Sequence, residues 1–168
     1  MAAGGARLHV QTPGARRHRS LWTFGCNAPM KVKIQKVGWI APEIREGTVT
    51  FSASDTSYQA FSCGPMWEVG AIIDVEFHHL EGQTAWHERF SNNAERKKCL
   101  IQTDQWSYDG FGQIVSIRPV IADFGALSLA LGDWTHDERV VGEYIFWRIA
   151  RLDIFPREEP DPQDGKRP

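Results

Sequence analysis

Gly142 to Phe155 reads GEYIFWRIARLDIF, and its reading decides the fold. With a period of two, one face carries Tyr144, Phe146, Arg148, Ala150 and Leu152, and the other Ile145, Trp147, Ile149, Arg151 and Asp153. Both faces begin apolar. A strand of that kind suits a sheet that curls or closes on itself, with something covering its outer face.

Working outward, the same alternation recurs in shorter runs. Val32, Ile34 and Val37 alternate with lysines up to the break at Ala41-Pro42-Glu43. Thr48 to Ser54 and Tyr58 to Cys63 are β-branched and aromatic runs, and the polar Asp55-Thr56-Ser57 between them predicts a hairpin. After Gly70, Ile73, Val75 and Phe77 alternate with Ile72, Asp74 and Glu76. Three more strands are predicted over 113–118, 120–124 and 126–131, the last with Leu127, Leu129 and Leu131 on one face. The spacing predicts one short helix over 94–100, where Asn92 followed by Glu95 resembles a capping box. The aromatic stretch TDQWSYDGFG, 103–112, is read as a loop.

These elements sum to about seven short strands, one short helix and many Gly or Pro turns, a mainly β pattern. The expected architecture is a small closed or partly open antiparallel β-barrel, OB-like or Greek-key in layout, occupying residues 30–155 as one domain. Residues 1–29 read as a flexible basic extension, with Met30 an alternative start of translation. Residues 156–168, rich in proline and charge, read as a disordered tail.

Composition narrows the function classes. The net charge is −2, but residues 1–29 hold four arginines and no acid, so residues 30–168 carry 15 basic and 21 acidic groups. A mildly acidic body disfavours nucleic acid gripped by its phosphates. The three cysteines, Cys26, Cys63 and Cys99, have neither CxxC nor finger spacing and read as reduced thiols, which places the chain in the cytoplasm. No run is long and apolar enough for a secretory signal or a membrane span. Asp123-Phe124-Gly125 lacks the companion motifs of a kinase, and Gly110-Phe111-Gly112 lacks the third glycine of a dinucleotide loop. No nucleotide or other cofactor is therefore expected.

Three sets of side chains could carry function. His78-His79, His87-Glu88 and His136-Asp137 supply metal-ligand types, but adjacent histidines on a strand point to opposite faces and no HExxH spacing occurs, so no metal is assigned. Arg148 lies on a face that reads as buried and calls for a carboxylate, with Asp123 and Asp153 the candidates. Trp106, Tyr108, Phe111 and Trp134 read as loop aromatics able to stack on a ligand or anchor a partner. Trp39, Trp67 and Trp147 read as core packing. With no catalytic signature, the expected function is a non-enzymatic binding module with a protein partner. The alternatives are an OB-like binder of single-stranded nucleic acid or oligosaccharide, and a metal-dependent hydrolase on His87, Glu88, His136 and Asp137.

Overall fold

Residues 30–157 are described in a computed structural model. The expectations for 1–29, including the state of Cys26, and for the tail beyond 157 lie outside the described residues. In chain order the elements are β1 (Met30–Ala41), β2 (Glu46–Ala53), β3 (Thr56–Cys63), β4 (Ile72–Glu81), α1 (Trp86–Ser91), β5 (Cys99–Gln102), β6 (Tyr108–Ile117), β7 (Val120–Asp123), β8 (Ser128–Ala130) and β9 (Tyr144–Pro156).

The nine strands form one sheet in the order β3-β2-β1-β4-β9-β6-β7-β8, with β5 on β6. An additional pairing of β3 with β9 turns five of them into a ring, β1-β2-β3-β9-β4. That last seam is parallel and consists of the single pair Phe61↔Asp153, so the ring is a partly open barrel. The mainly antiparallel β architecture with one short helix is thus as the sequence predicts. No described helix is long and apolar enough to cross a membrane.

β9 holds the sheet together because it is bordered along most of its length. Tyr144 to Ile149 pair with β6, while Ile149 to Pro156 pair with β4. Its alternation is broken once: Leu80 faces Arg151 and Glu81 faces Ile149, leaving Ala150 as an extra residue. Inward residues are therefore Ile145, Trp147 and Ile149 before the bulge and Leu152 and Ile154 after it, all buried. The bulge thus puts Leu152 on the same side as Ile145, Trp147 and Ile149, where strict alternation would set it opposite them, and leaves Arg151 and Asp153 on the other side. The expected cover over the outer face exists: Phe146 is buried under Phe111, with ring centroids 5.3 Å apart, and under the Arg148 guanidinium.

Two local expectations need correction. The β2–β3 turn is Ser54-Asp55, both at positive φ, joining Ala53 to its partner Thr56. The helix lies eight residues earlier than predicted, at Trp86–Ser91, where the Glu88 carboxylate accepts a hydrogen bond from the Ala85 N–H at 3.0 Å. The stretch after it, Asn93 to Lys98, is a turn leading into β5. Gly110 and Gly112 face inward on β6 because Phe124 packs across them: a Cβ at either would stand 2.7 Å from a ring carbon of Phe124. With Leu127, Leu129 and Leu131, that ring fills the β7–β8 side of the core, while Val32, Ile34, Val49, Phe51, Val75 and Phe77 fill the ring of five strands.

Candidate functional site

Three surfaces carry functional groups. The first is built on α1. Trp86 and Phe90 stand four residues apart on one helix face and Arg89 lies between them, so all three reach the same neighbour. That neighbour is Trp134 from the 132–137 loop, 5.3 Å from Trp86 edge-on and 5.8 Å from Trp147 in a stack. The Arg89 guanidinium lies 4.2 Å from the Trp147 ring centroid, 5.5 Å from that of Trp134 and 5.6 Å from that of Trp86, and it pairs with Glu81. Trp86 remains 59% exposed at the rim. Beside it an open depression of about 550 Å³ is lined by Glu81 to Ala85.

Beneath this cluster the Trp147 Nε1–H donates to His79 Nε2 at 3.1 Å, which requires the neutral imidazole with its proton on Nδ1. Burial, and after it the adjacent His78, holds the His79 pKa down to about 4. A depressed folded pKa gives stability that is fully present above the ordinary value near 6.5 and is lost as pH falls through that value toward 4. From pH 7.5 to pH 5 the loss is about 2 kcal/mol. His79→Gln keeps an acceptor for Trp147 without titrating. Its urea midpoint is therefore expected to fall less than the parent's between those two pH values, and parallel curves would refute the assignment.

A second surface is the outer face of β1–β2–β3. Register and alternation place Lys33, Ser52 and Ser57 in one outward row, Lys36, Thr50 and Gln59 in the next, and Gly38, Thr48 and Phe61 in a third. Trp106 joins the third row. Its Nε1–H donates to Thr48 Oγ1 at 2.9 Å, and its ring meets Phe61 edge-on at 5.1 Å. The Arg151 guanidinium lies 4.3 Å from the Phe61 centroid and is held by Asp153 at 2.7 Å. Burial pushes the Asp153 carboxyl above its ordinary pKa, although Arg151 pulls it back.

The third surface is one edge and end of the barrel. β4 pairs with β1 only from Met30 to Lys33, and Ile34 exchanges backbone bonds with Gly70 and Ala71. Beyond Ile34, no strand among the described residues borders β1 on that side, while β2 continues on the other. The same end exposes Trp39 at 38%, Ile40 at 57%, Ile44 at 53% and Met66 at 75%. The turn carrying Ile44 is tied to the 63–64 segment by Gly64 N–H donating to Arg45 O.

The four aromatic residues singled out from the sequence thus separate. Trp134 belongs to the α1 cluster and Trp106 to the β1–β2–β3 face. Tyr108 and Phe111 are corrected from a loop to β6: Tyr108 is 1% exposed in the core and Phe111 packs on Phe146. Trp67 and Trp147 are buried as expected, whereas Trp39 is exposed. Arg148 is also corrected. It is exposed and pairs with Asp109 at 3.3 Å, while Asp123 pairs with Lys98 and Asp153 with Arg151. Among the described residues no three His, Cys, Asp or Glu side chains form a group able to hold a metal ion, so the histidine pairs do not converge on one ligand set. Sequence reading missed Trp86, Arg89, Phe90, Phe61 and Arg151. The i, i+4 spacing of Trp86 and Phe90 was the available signal for the first three; for Phe61 and Arg151 the pairing of distant strands had to be known. No protein-family model, no curated protein and no solved structure matches the chain.

Proposed function

We propose that the chain is a non-enzymatic protein-interaction module that receives an extended segment of another protein along the free edge of β1. The carrying observation is that β1 outruns β4: its residues from Lys36 to Ala41 have β2 on one side and no strand among the described residues on the other. Main-chain hydrogen bonds along such an edge give affinity, and side-chain pockets beside it give specificity. Trp39, Ile40, Ile44 and Met66 supply the apolar anchors at that end. The architecture is read as OB-like, with α1 to β8 inserted between the fourth and fifth strands of the ring. The free thiols of Cys63 and Cys99 support the cytoplasm as its compartment.

A photo-crosslinking side chain at position 40 is expected to trap a discrete partner from the host cell, and one at position 55 is not. With that partner purified, Trp39→Ala combined with Ile40→Asp is expected to weaken binding at least tenfold without lowering the melting temperature. The amides of residues 36–41 are expected to exchange more slowly in the complex. Unchanged affinity in the double variant, or unchanged exchange, would overturn the reading.

A further inference from the structure

We propose that the outer face of β1–β2–β3 binds single-stranded nucleic acid, with Lys33 and Lys36 on its phosphates and the Phe61–Trp106–Arg151 group against its bases. This inference is independent of the edge reading, since it uses the face of the strands and other side chains.

Charge is the first argument. The chain beyond residue 29 has more acids than bases, yet no carboxylate belongs to the three outward rows that hold Lys33, Lys36 and Phe61. Lys33 and Lys36 are exposed and form no ion pair among the described residues. Lys31, next along β1, meets Asp74 only loosely at 3.7 Å. The acidity that counts against phosphate contact over the whole molecule is therefore absent from these three rows: Glu46 stands one row beyond Phe61 and Asp153 is paired with Arg151, while a short basic stripe runs along β1 toward the rings.

Planar groups in fixed positions are the second. Trp106 is pinned by its hydrogen bond to Thr48, and Arg151 by the buried Asp153 carboxylate, so Phe61, Trp106 and Arg151 hold their mutual orientation without a ligand. Aromatic rings and guanidinium planes are what unpaired bases stack on, and a preset platform loses little entropy in doing so. Between lysines and rings, Thr50, Ser52, Ser57 and Gln59 offer hydroxyl and amide groups to sugar and base edges. Duplex DNA fits poorly, because its bases are already stacked and three or four cations are too few to hold it by phosphates alone. An acidic peptide would use the lysines but leave the ring platform without a role.

The test is fluorescence anisotropy of the full chain with a labelled 15-mer of thymidine and one of uridine, from 25 to 200 mM KCl. Saturable binding is expected, with log K falling against log salt at a slope of about −2, as for three phosphate contacts on a single strand. Lys33→Glu with Lys36→Glu is expected to lower affinity at least tenfold. Phe61→Ala is expected to lower it about tenfold with the slope unchanged, the mark of lost stacking. Circular dichroism melts establish that each variant is folded, and Phe61→Leu is the substitute if Phe61→Ala is not. Absence of binding at 25 mM salt overturns the proposal. So does binding that survives the double lysine variant, which would assign it to the arginines of residues 1–29 or to Lys97 and Lys98. Equal competition by polyglutamate with no effect of Phe61 would make this an acidic-protein contact and refute the base platform.

Discussion

Tyr108→Phe is expected to destabilise the protein by about 2–4 kcal/mol, lowering the melting temperature by roughly 10 °C. The hydroxyl does what a missing strand would do. At the β3–β9 seam the strands pair only at Phe61↔Asp153, and two residues earlier Gln59, paired with Thr50 of β2 on one side, has no strand partner on the seam side. There the Gln59 N–H donates to Tyr108 Oη at 2.8 Å, and Tyr108 Oη–H donates back to Gln59 O at 2.8 Å. Removing one oxygen leaves two backbone groups without partners in a place water reaches poorly. Burial also pushes the Tyr108 phenol above its ordinary pKa, as expected for a hydroxyl sealed in the seam. Denaturant unfolding at pH 7 is the measurement. An unchanged slope with a lowered midpoint is expected, and a loss under 1 kcal/mol would mean that water replaces the hydroxyl.

Asn93→Ala is expected to cost about 3 kcal/mol by the same argument applied to two strands and a turn at once. Asn93 is 3% exposed. Its amide nitrogen donates to Ile145 O at 3.1 Å, to Gly112 O at 3.3 Å and to Lys97 O at 3.0 Å, and its oxygen accepts from the Lys97 N–H at 2.8 Å. One side chain thus fixes the 93–97 turn to both β6 and β9. Asn93→Asp is the instructive companion: it keeps the acceptor for Lys97 and turns the donor into a charge facing carbonyls, so it is expected to be at least as damaging as alanine. Equal stability of Asn93→Asp and the parent would show that the amide's donor bonds to the three carbonyls contribute little.

Legibility followed how local each cause is. The alternation in β9 and the three leucines of 127–131 were readable because a strand's two faces are set by the strand itself. The bulge at Ala150 was not, since it arises from the match with Leu80 and Glu81, about 70 residues away in sequence. The helix was misplaced because Asn92 and Glu95 imitate a cap, while the actual start has Ala85 at the cap and draws on Glu88 and on the tryptophans above it. Gly110-Phe111-Gly112 looked like a loop, and its glycines are instead inward strand positions emptied for Phe124. The same confusion put Tyr108 and Phe111 at the surface. Of the candidate surfaces, the sequence named Trp106 and Trp134 but not the residues each one meets.

β9 also sets the order in which this protein can come together. β1 to β4 are made first, and β4 then waits for its second neighbour until residues 149–156 exist. Throughout that interval one edge of β4 and the Gln59 backbone stand open, and the parallel contact that closes the ring is the kind that forms slowly. A nascent chain halted anywhere between Glu81 and Tyr144 therefore presents a sticky four-stranded half-barrel.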